Sequence, residues 1–145
     1  MIITSDLHTH TVHSHGLGTV EENILAAIKK GLKTIAISDH GPGHKAYGIK
    51  DMDNYLEDIL KCKEKYKSII EVKSSIELNL ISLDGELDLP RSYEESFDQL
   101  IFGYHKFVGV KNPKTFFSFY LPKSESEKAV ERNTNAYIKA IEQYN

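Results

Sequence analysis

The sequence predicts a parallel α/β fold of about four β/α units, on three observations. Apolar runs alternate with helix-like segments along the 145 residues. Turn signals such as Gly41-Pro42-Gly43 and Asp84-Gly85 punctuate the pattern. Four of the apolar runs end in histidine or acid: Ile2–Ser5 before Asp6-Leu7-His8-Thr9-His10, Thr34–Ser38 before Asp39-His40, Val72–Ile76 before Glu77, and Leu100–Tyr104 before His105. Consecutive units of this kind give a parallel sheet with right-handed crossovers, whose C-terminal strand ends open on one face. A closed eight-stranded barrel typically takes ~250 residues. A chain of 145 residues therefore predicts an incomplete barrel.

The elements follow in order. After the first strand, Thr19-Val20-Glu21-Glu22 is a capping box, and the helix it opens places Val20, Ile24, Ala27 and Ile28 on one face before stopping at Gly31. Asp53 is placed as the cap of a second helix, with Leu56, Ile59, Leu60 and Cys62 as its apolar stripe. Lys61, Lys63, Lys65 and Lys67 form its solvated face. The third strand runs into the turn Leu83-Asp84-Gly85-Glu86, and Pro90 to Phe97 is a connector or short helix before the fourth strand. Ser124-Glu125-Ser126-Glu127 is a second capping box, opening a helix with Val130, Tyr137, Ile141 and Tyr144 on one stripe. Phe116, Phe117, Phe119 and Tyr120 read as a segment covering the core, with a self-association surface as the sharper alternative. Neither repeat nor low-complexity tract interrupts the chain, so residues 1–145 are expected to form a single domain.

Bulk composition narrows the function. The net charge of −3 gives no reason to expect nucleic acid or an anionic membrane as partner. Cys62 is the only cysteine, which excludes an intrachain disulfide and fits a reducing cytoplasm. The first residues lack the charged and apolar regions of a signal peptide, and no stretch approaches the ~18 apolar residues of a membrane span. A cytoplasmic protein is expected.

The chemistry lies at the strand ends. His8 and His10 sit two apart in a strand and point to one face, with Asp6 in the same parity. Imidazole suits zinc and other transition ions, and a carboxylate such as Glu77 can bridge two of them. Three further strand ends carrying His or Glu make the set a candidate multinuclear metal site. Asp39 either supports a ligating histidine from behind or caps the turn after it. His13, His15 and His44 lie in glycine-containing loops at the same face, and one of the three is expected to be a ligand. A protein nucleophile has no support: Gly-x-Ser-x-Gly is absent, and Cys62 falls inside a helix. A metal cluster needs none, because it lowers the pKa of bound water to about 7 and supplies hydroxide.

Taken together, Asp6-Leu7-His8-Thr9-His10, Ile37-Ser38-Asp39-His40-Gly41-Pro42, Ile76-Glu77-Leu78-Asn79 and Gly103-Tyr104-His105 resemble the PHP family, which joins bacterial polymerase domains with histidinol phosphatases. With the turn at Asp84-Gly85-Glu86, the order and spacing look most like the YcdX-like metal-dependent phosphatases of that family. The resemblance implies a distorted seven-stranded (β/α) barrel with up to three metal ions at its C-terminal face, zinc foremost, with manganese or iron as alternatives. It implies His8 and His10 on one ion, Glu77 bridging to a second ion held by His105, and His15 with His40 on a third. The loop from His10 to Thr19 is one residue shorter than the family pattern, which keeps His13 as the alternative to His15. Later family ligands, a further His and an Asp-x-His pair, are absent, so each ion would lack one ligand. Their absence also leaves Ile2–Asp6 and Gln99–Tyr104 as open edges through which the chain could self-associate.

Two functions follow as expectations. One is a phosphoesterase that hydrolyses a small phosphomonoester through a metal-bound hydroxide, with Asp39 and His40 as its catalytic pair and a small phosphorylated substrate as partner. The other is a truncated PHP domain that binds metal or a partner without turnover.

Overall fold

The computed structural model describes residues 2–105, 108–120 and 126–144. Its strands β1 (Ser5–Thr9), β2 (Thr34–Ile37), β3 (Glu71–Asn79) and β4 (Gln99–Gly103) pair in chain order, and every pair is parallel. Helices α1 (Val20–Lys29) and α2 (Met52–Tyr66) form the first two crossovers, and a 3-10 turn at Arg91–Ser96 lies in the third. Helices α3 (Pro113–Tyr120) and α4 (Glu127–Gln143) follow β4. The sheet curls into a half-barrel. The curl is tight enough that the Gln99 side-chain amide on β4 donates to the Leu7 carbonyl on β1 at 3.3 Å. An incomplete α/β barrel is therefore the architecture.

Local chemistry explains the elements. Thr19 caps α1 by accepting from Glu22 N at 3.2 Å, and the Glu22 carboxylate returns to Thr19 N at 2.8 Å. This satisfies two amide donors that a helix start otherwise leaves open. Val20, Ile24 and Ala27 then bury against the sheet. β3 is buried along nearly its whole length, as a central parallel strand should be, and its Val72, Ile76 and Leu78 pack with Ile35, Ile37, Tyr55 and Ile59 in one core. β1 is the opposite case: it is exposed along most of its length, and Ile2, Ile3 and Leu7 face solvent.

Several expectations need correction. Asp51, not Asp53, caps α2, accepting from Asn54 N at 3.0 Å, while Asp53 accepts from the Tyr93 hydroxyl at 2.7 Å. The buried stripe of α2 is Tyr55, Leu56, Ile59 and Tyr66, and Leu60 is exposed. In α4 the buried residues are Ala129, Ala136 and Ala140, while Val130 and Ile141 are exposed. The reason is close approach: α4 lies on the Asp84-Gly85 turn, where Gly85 has φ +88°, and a Cβ there would stand 2.7 Å from Ala140 N. Small side chains let the backbones meet. Ser124 and Glu125 of the expected second capping box lie outside the described residues. The aromatic segment forms α3, in which Phe119 enters the core while Phe116 and Phe117 remain exposed. The lysine face of α2 is solvated as expected, its amines pairing with Glu57, Asp98, Glu21 and Glu64.

No helix among the described residues is long and apolar enough to cross a membrane.

Candidate metal centre

Parallel pairing in chain order brings the four strand ends to one side, and Glu77 stands at the centre of what they carry. Its carboxylate oxygen Oε2 lies 3.2 Å from His8 Nε2, 3.5 Å from His10 Nε2 and 3.1 Å from His40 Nδ1. Oε1 lies 3.1 Å from His105 Nε2. His8 and His10 leave β1 on the same side, with their Nε2 atoms 3.1 Å apart. The β2–β3 register continues past Ile37 and makes His40 the neighbour of Glu77. His105 follows β4, and its ring sits where a Cβ on Gly103 would be, 2.0 Å from Cε1. Only glycine at 103 leaves that space open.

His15 joins the cluster from the β1–α1 loop, with Nε2 3.1 Å from His40 Nε2. His13 turns away and pairs with Asp58 of α2 at 3.0 Å. His44 is buried and stacks on the outer side of the His40 ring, at a centroid distance of 5.0 Å, with its Nδ1 accepting from Tyr47 N at 3.1 Å. Of the three loop histidines, only His15 falls in one of the compact donor groups among the described residues.

Those groups number three: His8, His10 and Glu77; His40, Glu77 and His105; and His10, His15 and His40. Their donor atoms lie within 4.8 Å of one another in each group. Imidazole nitrogens with a shared carboxylate are a donor set suited to zinc and neighbouring transition ions. His40 supplies the clearest fit. Its Nδ1 is buried beside Glu77 Oε2 yet forms no hydrogen bond, so the two lone-pair-bearing atoms face each other without a proton aligned between them. A cation between them would resolve that contact.

The electrostatics agree. Burial, reinforced by the imidazoles of His10, His105, His44 and His15, holds the His40 pKa down to about 3. Burial and the neighbouring His15 also lower His10, against the opposing pull of Asp39 and Glu77. Both rings are thus kept in the neutral form in which imidazole can ligate.

Asp39 is fully buried behind this cluster, and its bonds go to the loop rather than to an imidazole. It accepts from Thr11 N at 2.7 Å, from the Thr11 hydroxyl at 2.7 Å and from the Ser14 hydroxyl. Ser14 Oγ is in turn 3.4 Å from His10 Nδ1. The Tyr55 hydroxyl reaches the same junction from α2, accepting from Asp39 N at 3.0 Å and lying 2.9 Å from Ile37 O and 2.7 Å from Ser75 O. Sequence reading missed Thr11, Ser14 and Tyr55 as parts of this site. None carries a metal-ligand signature.

Comparison with known proteins agrees with the fold. A probable phosphatase of Thermoanaerobacter sp. strain X514 is 32% identical over 142 residues, which cover 97% of this chain and 50% of that protein. The probable phosphatase YcdX of Escherichia coli is 32% identical over 111 residues, covering 75% of this chain and 43% of YcdX. The chain thus spans about half the length of the curated relatives it matches. The crystal structure of the "putative histidinol phosphatase hisK" from Listeria monocytogenes superposes with a TM-score of 0.59 at 20% identity, over 96% of this chain and 60% of that one. At that identity the likeness concerns the fold. The PHP domain model matches residues 6–143, nearly the whole length and every strand end described above, so the chain belongs to the PHP domain family.

Proposed function

We propose that this chain carries the metal-binding part of a divalent-metal-dependent phosphoesterase acting on a small phosphomonoester. The observation that carries the reading is the placement of Glu77, with imidazole nitrogens from three other strand ends within 3.5 Å of its two oxygens. His8 and His10 would hold one ion with Glu77. His105 would hold a second with Glu77, and His15 and His40 a third, with zinc the first choice and manganese or iron the alternatives. When bound, such ions acidify water and neutralise phosphoryl oxygens.

The chain's own residues keep the donors neutral, aimed and grouped. Asp39 is a positioning residue, tying Thr11 and Ser14 so that the loop delivers His15 to His40. His40 belongs to two of the three donor groups, one with Glu77 and His105 and one with His10 and His15. The mouth is open on the β1 side, where the His8 side chain is 44% exposed, so a small substrate can reach the cluster.

The absence of the later His and Asp-x-His ligands of the family pattern favours a second reading, a PHP domain that binds metal without turnover. One experiment separates the two. Metal content and hydrolysis of small phosphomonoesters are measured for the wild type and for His8→Ala/His10→Ala. Two or three ions per chain, with turnover that disappears in the variant, is the expected result. Bound ions with no turnover would favour the second reading, and fewer than about one ion per chain, unchanged by the substitutions, would sink both.

A further inference from the structure

Behind His105 runs a line of hydrogen bonds that the metal ligands do not include. His105 Nδ1 lies 2.8 Å from Asn79 Oδ1. The Asn79 side-chain amide donates to Asp88 Oδ2 at 2.5 Å, and Asn79 N donates to Asp88 Oδ1 at 2.7 Å. Gly43 N, in the loop between His40 and His44, donates to Asp88 Oδ2 at 2.8 Å. Asp88 comes into place because the chain doubles back after β3, with Leu80 paired antiparallel to Leu87 and Asp88 N donating to Asn79 O at 3.1 Å. The loop can lie against the carboxylate only because residues 41 and 43 lack side chains: a Cβ at Gly41 would stand 2.6 Å from Asp88 Oδ1, and one at Gly43 2.8 Å from Oδ2.

We propose that Asp88 is a positioning residue that fixes the polarity of the Asn79 amide and, through it, the tautomer of His105. The inference rests on the metal-site reading of Glu77 and His105 given above. A carboxylate that receives two backbone N–H groups can only accept, so Asn79 must turn its NH2 toward Asp88 and its oxygen toward His105. An oxygen at that position accepts a proton from His105 Nδ1. The remaining lone pair of His105 is then on Nε2, the atom 3.1 Å from Glu77 Oε1. Partners behind a ligating histidine set which nitrogen is free. Here the setting is done two residues removed, by a carboxylate that also braces the loop between His40 and His44.

The test uses the full chain, stripped of metal with a chelator, and reads the His105 tautomer by long-range 1H–15N correlation, with the signal assigned by its loss in His105→Gln. Wild type is expected to show the proton on Nδ1. In Asp88→Asn the new amide can donate to Asn79 Oδ1, turn that amide over and move the His105 proton to Nε2. Zinc binding is then expected to weaken by roughly 10–100-fold, the range seen when partners behind a ligand are removed. The exchanged pair Asn79→Asp/Asp88→Asn restores an acceptor facing His105 and should recover the Nδ1–H tautomer and most of the zinc affinity.

A wild-type His105 protonated on Nε2 would overturn the proposal whether or not the variants fold. A folded Asp88→Asn with unchanged tautomer and zinc affinity would also overturn it. Absence of phosphoesterase activity would not, since the tautomer is read without substrate; it would count only against the function proposed above.

Discussion

His40 and Glu77 are neighbours in the β2–β3 register, and the His40 ring nitrogen Nδ1 comes to rest 3.1 Å from Glu77 Oε2. The backbone enforces the contact from both sides, with Gly41 N donating to Glu77 O at 2.8 Å and Glu77 N donating to Asp39 O at 2.9 Å. The pairing therefore belongs to the sheet and not to mobile side chains. Glu77 is thereby shared by two of the three donor groups.

Glu77→Gln tests that sharing. The amide keeps the shape but removes the charge that offsets bound cations, and it places a donor among imidazole lone pairs. The expected outcome is loss of at least two ions per chain by elemental analysis, against one for His105→Ala. Equal losses in the two variants would show that Glu77 is not shared.

Gly103→Ala tests how finely His105 is placed. A Cβ there would overlap the imidazole, at 2.0 Å from Cε1, and would also stand 3.0 Å from Glu77 Oε1. The ring must move, so the variant should lose the ion held by His105 and Glu77, with metal affinity lower by roughly 10–100-fold. Calorimetric titration with zinc reads the loss, and an unchanged isotherm would mean that the ring has another way to reach the ion.

The buried histidines predict how the metal-free protein responds to acid. His40 titrates at about 3 in the folded chain, against an ordinary value of 6.5. Between those values the unfolded chain binds the proton and the folded chain does not, so stability rises with pH through that window. Above about 6.5 the contribution is fully present, and it is lost as pH falls toward 3. His10, shifted in the same direction, adds to the effect. In the presence of chelator, thermal midpoints should fall steadily from pH 6.5 downward, and His40→Gln should flatten that slope. A slope that survives the substitution unchanged would place its origin elsewhere.

The legible parts of this protein were those in which one residue type in one local pattern has one meaning. The apolar runs ending in His or acid mark β2, β3 and β4, while β1 begins only where the first run ends and itself carries His8. The Thr19–Glu22 box is local and read correctly. What stayed hidden depends on contacts between distant segments. Asp88 and Gly43 are 45 residues apart, as are His13 and Asp58. Nothing in either neighbourhood shows that they meet. Of the expected last-helix stripe, Tyr137 and Tyr144 pack against the core, whereas Val130 and Ile141 are exposed because the close approach at Gly85 favours alanine. Asp51 and Asp53, two acids near one helix start, look alike in sequence until their geometry is seen.

Tyr55 offers the sharpest separation of scaffold from chemistry. Its ring is fully buried in the core between α2 and the sheet, and its hydroxyl sits between the end of β2 and the middle of β3, in contact with Asp39 N, Ile37 O and Ser75 O. Tyr55→Phe keeps the ring and removes only the oxygen, leaving the Asp39 amide without its acceptor. An unsatisfied buried donor costs about 1–3 kcal/mol, so denaturant unfolding should show a loss in that range. The same amide precedes His40, and the Asp39 carboxylate holds the loop bearing His15, so relaxation there should loosen the His15–His40 contact of 3.1 Å. Zinc titration of Tyr55→Phe should therefore show the ion assigned to His15 and His40 weakened, while the ion on His8, His10 and Glu77 binds as before. Uniform weakening of every ion would mean that Tyr55 supports the sheet as a whole and not this junction.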